Sequence, residues 1–344
     1  MSYGNEVQIG RFTFWFSSLH WIFILIALGF GLECIIGNAQ SLGRTGFLGL
    51  VTPTNMSMWA CGSSAPLGIW TQGEWWRLFT AIFLHGSVIH LLMNAMALND
   101  LGRLTDQIFG PTRLLVAFLL TGLVGSTASS LWMLREGNTV SMSLGSSGAI
   151  CGLLGLLLCF SRQRTDAASQ MLAKGLLRSA VLILVIGLVI PFIDNAAHMG
   201  GFVSGYLLGF VFRPTVFDPL AKKQHRVTLR ATTTVLVVAT LTALVIGFGF
   251  ARERHEELAG LEAITNPLLR VAAANPLSDG TPVLFEHVRT EVANLKESGT
   301  IAPWRNEALA ALDSKNPMRV LTLSLRLKTR QKELAPDFYD RRTR

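Results

Sequence analysis

Apolar residues along the chain gather into seven long runs, at about 17–36, 84–101, 114–134, 147–160, 179–193, 196–212 and 231–250. A helix needs roughly 20 apolar residues to cross the ~30 Å hydrocarbon core of a bilayer. Each run comes near that length, so the pattern predicts seven transmembrane helices, with a short turn at 191–195 between the fifth and sixth. The first run lacks a strongly basic leader and a small-residue cleavage site, and is read as a retained span. Beyond 250 the pattern changes: charges become dense, and turn signals stand at Asn266-Pro267, Asn275-Pro276 and Asn316-Pro317. A small, mostly helical soluble domain or a set of amphipathic helices is expected there. The alternation of Leu321, Leu323, Leu325 and Leu327 within 320–328 also allows one strand. No internal repeat or low-complexity tract interrupts the chain.

The expected fold class is all-α: a polytopic membrane helical bundle. It divides into an N-terminal cytoplasmic segment (1–16), a six-helix core (17–212), a basic cytoplasmic linker (213–230), a seventh transmembrane helix (231–250) and a soluble tail (251–344).

Composition agrees. Half the residues are hydrophobic and 15% are charged, against about 25% charged in soluble proteins. The net charge of +8 does not call for nucleic acid, because the basic residues lie largely in short loops and in the tail. Arg103 and Arg113, then Arg162, Arg164, Lys174 and Arg178, then Arg213, Lys222, Lys223, Arg226 and Arg230 follow the second, fourth and sixth spans. Only Arg135 follows the third, and no basic residue follows the fifth. Positive loops stay on the cytoplasmic side. The N-terminus is therefore expected inside and the tail outside, with a bacterial cytoplasmic membrane as the expected location. The first outer loop, 37–83, carries Trp59, Trp70, Trp75 and Trp76. Tryptophan favours the membrane boundary, so the loop lies partly in the outer leaflet or is an ordinary soluble loop. Of the four cysteines, Cys34, Cys151 and Cys159 sit in apolar runs and Cys61 in a polar loop, which is no disulfide framework.

Polar groups inside spans are costly, and each is a functional hypothesis. The second span holds His85, His90 and Asn94, the fourth opens with Gly145-Ser146-Ser147-Gly148, and the sixth holds Asp194, Asn195 and His198. These spans all start outside and run inward, so the set shares the outer half of the bilayer. Ser147 lies fifteen residues before Arg162, which is roughly 22 Å of helix. It therefore sits below the outer surface, and the loop before it must line a wet cavity enclosed by protein. Gly148 and Gly152, like Gly201 and Gly205, are spaced to let the fourth and sixth spans approach closely.

A serine is a weak nucleophile until a base takes its proton, and His198 is the candidate base for Ser147. The start of a helix at Ser147 offers free N–H groups. His90 and Asn94, spaced i, i+4, can direct donors to one point, where an oxyanion forms. His85 falls about 140° away around the same helix and is assigned a structural hydrogen bond. Asp194 either orients His198 or caps its helix; its place at the helix start favours the cap. Competing chemistries fit less well. No H-E-x-x-H occurs, and no glutamate accompanies these histidines. An aspartyl protease needs two intramembrane aspartates, and Asp100 lies at the wrong end of its span. No metal or cofactor is called for.

These motifs, in this order, resemble the rhomboid family over roughly residues 70–212. Trp76-Arg77 precedes the second span. His85, His90 and Asn94 match H-x-x-x-x-H-x-x-x-N, Gly145–Gly148 matches G-x-S-G, and Ala197-His198-Met199-Gly200-Gly201 matches A-H-x-x-G, continued by Gly205. The resemblance implies a six-helix core with a Ser147–His198 dyad and an oxyanion site of His90, Asn94 and the Ser147 backbone. It implies supporting roles for His85, Gly145, Gly148, Gly201 and Gly205, and an Arg77 that braces the first outer loop. It also implies cleavage of membrane-anchored proteins at or beside a transmembrane helix, with the fifth span and its outer loop around Phe192 gating lateral entry. Cys151 departs from the pattern, since an aromatic residue that stacks on the base is common there. The seventh span is similar to a six-plus-one layout in part of the family. Expected partners are transmembrane protein substrates, the lipid bilayer, and a contact outside the membrane for the tail. A non-catalytic member that binds membrane proteins is the alternative, and a transporter or channel a third, although no inverted repeat is detected.

Overall fold

In the computed structural model the backbone is described for residues 5–9, 12–16, 18–41, 53–139, 141–190, 193–215, 226–274, 281–295 and 300–334, and the statements below concern those residues. The chain divides into two compact units, Met1–Phe248 and Gly249–Arg344. The helix α9 named below runs through the division.

The first unit opens with an antiparallel hairpin, β1 (Asn5–Ile9) and β2 (Phe12–Phe16), with Asn5 opposite Phe16. This small hairpin is an addition to the expected helices. There follow α1 (Ser18–Ser41), α2 (Asn55–Ala60), α3 (Arg77–Thr80), α4 (Val88–Phe109), α5 (Pro111–Arg135), α6 (Ser147–Arg162), α7 (Ala167–Val189), α8 (Asn195–Val211) and the start of α9 (Arg226–Ala272).

Helix α6 is the hub. It packs against α4, α5, α7 and α8, and is buried from Gly148 to Ser161. Leu153, Leu156 and Leu157 meet Leu98, Leu114 and Phe118 in one apolar core. The outer helix faces are apolar too. Ile89, Leu92, Met93 and Met96 of α4 are exposed, as are Leu182, Val185, Leu188 and Val189 of α7 and Leu207 and Phe210 of α8. Such a surface would drive aggregation in water and is at home in lipid.

Three helical segments, Ser18–Ile35, Pro111–Arg135 and Ala167–Val189, are long and apolar enough to cross a membrane. The stretch Arg77–Phe83 together with α4 is apolar and long enough as a pair bent by 87°, the pattern of a broken span or a re-entrant loop. The protein is a multi-pass membrane protein.

Several boundaries move for local reasons. Helix α4 starts at Val88, not 84, because Ser87 caps it through the His90 N–H at 3.2 Å. It runs on to Phe109, where Gly110 at φ 84° ends it and Pro111 opens α5. Helix α7 begins at Ala167, well before the expected 179, because Asp166 caps the Ser169 N–H at 2.9 Å. Its first turns are polar, so hydropathy alone does not see them. Residues 53–83 form short helical turns, with Trp59 buried and Trp75 exposed edge-on to Trp70 at 4.8 Å.

The second unit contains the end of α9 and α10 (Thr281–Ala293), α11 (Ala302–Asp313) and α12 (Pro317–Leu334). Pro267 lies inside α9, so Asn266-Pro267 is no break. Ile264, Leu268 and Val271 bury one face across it, and that packing outweighs the local signal. Residues 320–328 are helix, not strand. Val320, Leu323, Leu327 and Gln331 are buried at helical spacing, while Leu325 is exposed. Asn316 caps α12 through the Met318 N–H at 2.9 Å. Asn275-Pro276, Phe192 and most of the basic linker lie outside the described residues.

Candidate active site

Ser147 is the first residue of α6 and His198 lies one turn into α8. Their side chains meet, His198 Nε2 to Ser147 Oγ at 2.9 Å. Two helices that share no sequence proximity can do this because their seam is glycine. A β-carbon on Gly201 would lie 1.9 Å from the Gly148 carbonyl oxygen, and one on Gly205 would lie 1.9 Å from that of Gly152. Gly125 of α5 completes the packing, with a β-carbon there 2.8 Å from the Ala197 carbonyl oxygen.

The loop before Ser147 is pinned at three points. Ser143 forms a two-bond backbone bridge with Ser64, both bonds at 2.8 Å. The Gly145 N–H donates to the Ala81 carbonyl at 2.8 Å, with Gly145 at φ +123°, a conformation that favours glycine. The Ser146 hydroxyl meets His85 Nε2 at 3.3 Å.

Beside this loop lie the expected oxyanion donors. A β-carbon on Gly145 would stand 2.8 Å from His90 Cε1 and 3.6 Å from Asn94 Nδ2, so both side chains converge on one spot. Asn94 Nδ2 is buried and has no hydrogen-bond partner, which leaves a donor open. The first N–H groups of α6 add to it. A carbonyl oxygen there would meet preorganised donors.

Arg77 is fully buried. Its Nη1 donates to the carbonyls of Trp59 at 2.8 Å and Ser63 at 3.1 Å, and its Nε to Glu74 Oε2 at 2.5 Å. The guanidinium also stacks on Trp59 at 4.4 Å and Trp76 at 4.8 Å. It thus holds the segment that ends at Ser64, the residue bridged to Ser143. This brace on residues 59–77 reaches the loop before Ser147 through that bridge.

Asp194 is the N-cap of α8. Its Oδ1 accepts the Ala197 N–H at 2.9 Å, and its Oδ2 accepts from the Ser143 hydroxyl at 2.5 Å and from the Ser129 hydroxyl. His198 Nδ1 has no hydrogen-bond partner. Of the two roles open to Asp194, the geometry carries the cap.

Two expectations need correction. His85 is not on the second transmembrane helix but in the turn before it, so its angle around that helix has no meaning. It reaches Ser146 because the chain bends there. A glutamate does accompany the histidines: Glu33 Oε2 of α1 accepts the His85 backbone N–H at 2.9 Å. Sequence spacing gave no hint, since 52 residues separate the two. A charged residue within an apolar run was the signal available. Cys151 is buried in the wall of a cavity of about 820 Å³ between α4, α6 and α7, one turn below Ser147.

Comparison with known proteins places the chain in a family. Residues 72–215 match the sequence profile of the Rhomboid domain. RHOMBOID-like protein 1 of Arabidopsis thaliana is 35% identical over 230 residues, 60% of this chain and 57% of its own. RHOMBOID-like protein 2 of the same plant is 32% identical over 64% of this chain and 70% of its own length. Rhomboid protease GluP of Bacillus subtilis is 30% identical over 55% of this chain and 34% of its own. A human protein named inactive rhomboid protein 2 also matches, at 29% over 54% of this chain and 21% of its own, so kinship alone does not carry activity. The chain thus spans only 57% of the first of these relatives and smaller parts of several others. With these matches and the ordered motifs of α4, α6 and α8, the chain belongs to the rhomboid family.

Proposed function

We propose that this protein is an intramembrane serine endopeptidase that cuts transmembrane segments of membrane-anchored proteins. The observation that carries the reading is the 2.9 Å contact between His198 Nε2 and Ser147 Oγ, a nucleophile and a base at reactive distance. Ser147 Oγ attacks the scissile carbonyl as its proton passes to Nε2. The carbonyl oxygen becomes an oxyanion, met by Asn94 Nδ2, His90 and the first N–H groups of α6. The intermediate collapses to an ester on Ser147 as the imidazolium gives its proton to the leaving amine. Water, activated by His198, then hydrolyses the ester.

The dyad is proposed to work without a carboxylate as third member, since Asp194 serves the α8 cap. The base is held by the glycine seam, which fixes α8 against α6, and by the contact of Nε2 with Ser147 Oγ. The proposed topology has the N-terminus on the cytoplasmic side and the tail opposite, from the basic loops. The tail, 251–344, then contacts a substrate or partner outside the membrane.

The alternative is a non-catalytic member that binds membrane proteins. It has a named inactive relative in its favour, and the intact serine and histidine here against it. Mass spectrometry of a reporter with one transmembrane segment, incubated with the protein in proteoliposomes, separates the two. The endopeptidase yields two fragments that meet within or beside that segment. A binder retains the reporter whole.

A further inference from the structure

A buried carboxyl group on the first transmembrane helix has no part in the chemistry above, yet it touches a residue that contacts the machinery. Glu33 of α1 is fully buried, as is His85. Glu33 Oε2 accepts the His85 backbone N–H at 2.9 Å. Four residues earlier on the same helix face, Gly29 allows close approach: a β-carbon there would lie 2.7 Å from the Phe83 carbonyl oxygen. Helix α1 is thus docked on the 83–85 turn by a missing side chain at one point and a hydrogen bond at the next.

From that turn the contact continues. The His85 ring meets the Ser146 hydroxyl through Nε2 at 3.3 Å, and lies edge-on to the His90 ring with centroids 5.1 Å apart. Ser146 adjoins the nucleophile, and His90 flanks Gly145. One turn therefore presents a backbone N–H to α1 and an imidazole to both the nucleophile loop and an oxyanion donor. Moving the His85 backbone moves both. A buried N–H without its acceptor is costly, and its turn shifts or opens to find a new partner.

We propose that Glu33 is a positioning residue for the nucleophile loop, acting through His85 on Ser146 and His90. The proposal rests on the endopeptidase reading for its kinetic effect, but its structural effect can be measured without activity. What matters at position 33 is an acceptor oxygen at the end of a three-carbon stem. Glutamine provides one. Leucine fills similar space and provides none.

The test uses the full-length protein in detergent or proteoliposomes, with Glu33→Leu, Glu33→Gln and Ser146→Ala, the double variant Glu33→Leu/Ser146→Ala, and Ser147→Ala as the inactive control. Two quantities are read: kcat and KM on a transmembrane reporter, and amide hydrogen exchange across 143–150. Glu33→Leu is expected to lower kcat by about ten-fold or more, with KM within about two-fold, as slight misplacement of a reacting group does. Exchange across 143–150 rises with it. Glu33→Gln is expected to restore both to near the parent. In the Ser146→Ala background, Glu33→Leu is expected to cost less than it does alone, because the Ser146 branch of the route is already cut.

If the parent cuts and Glu33→Leu matches it in kcat and exchange, the positioning role is overturned while the endopeptidase reading stands. If glutamine fails as badly as leucine, the acceptor route is overturned. If the parent does not cut but exchange rises in leucine and not in glutamine, the endopeptidase reading falls and the positioning role stands. Should Glu33→Leu fail to fold, Ser146→Ala decides: raised exchange and lowered kcat support the route, and parent-like values overturn it.

Discussion

The Gly201 α-carbon stands against the Gly148 carbonyl so closely that a β-carbon on it would lie 1.9 Å from that oxygen. The distance between the proposed nucleophile and base is therefore set by two backbones, not by side-chain reach. In lipid, where apolar surface gains little from leaving its surroundings, such close packing is a main source of helix association.

Gly201→Ala and Gly205→Ala should each force α6 and α8 apart. Overpacking of this kind costs about 1–3 kcal/mol, and the hydroxyl–imidazole contact opens with it. Thermal unfolding in detergent and the rate of Ser147 labelling by a fluorophosphonate should both fall. Unchanged Tm and labelling in Gly201→Ala would show that the seam is looser than described.

Asp194 offers a choice between two roles that differ greatly in size. As a cap, Asp194→Asn keeps an oxygen for the Ala197 N–H and should retain most of the cleavage rate. Asp194→Ala should lose about 1 kcal/mol of stability, and more for the hydroxyls of Ser129 and Ser143 left without their acceptor. An Asp acting on the base as in a catalytic triad would instead drop kcat by roughly 10⁴-fold on change to Asn. The expected result is the small one, read from kcat and Tm side by side.

Asn94→Ala removes an open donor beside Gly145 and leaves the apolar packing of α4 in place. Loss of one oxyanion donor typically costs about 10²–10³ in kcat. The loss should fall on kcat with KM little moved, since the donor is aimed at charge that develops only in the transition state. A change confined to KM would assign Asn94 to substrate binding.

Arg77→Lys should not be tolerated as a conservative change. One guanidinium serves two carbonyls and Glu74 while stacked on two indoles, and an ammonium cannot take those directions together. Loss of a buried pair by removing one partner costs roughly 3–5 kcal/mol. Lysine keeps the charge, so its cost should fall below that of Arg77→Ala, with both variants less stable than the parent in urea or heat.

Much of this was legible in the sequence because it depends on local chemistry. Apolar runs locate helices, and polar residues that interrupt them are few enough to stand out. Ser147 as the first residue of its helix, the glycine spacings and the Asp194 cap are all features of one turn, and α6 and α8 start at or within a residue of the expected place. What escaped depends on distance in sequence. The Ser64–Ser143 bridge, the Ser143–Asp194 hydrogen bond and the Glu33–His85 contact join segments that only the fold brings together. The 320–328 stretch escaped for a different reason. Four leucines at alternate positions satisfy a strand, while Val320, Leu323, Leu327 and Gln331 satisfy a helix, and tertiary burial selects the second.

The most direct measurement is the rate of cleavage of a transmembrane reporter in proteoliposomes by the parent protein, Ser147→Ala and His198→Ala. The account predicts that the parent cuts and that each variant loses at least about 10³-fold in kcat, as members of one catalytic unit do. Cleavage by Ser147→Ala at the parent's rate would contradict it.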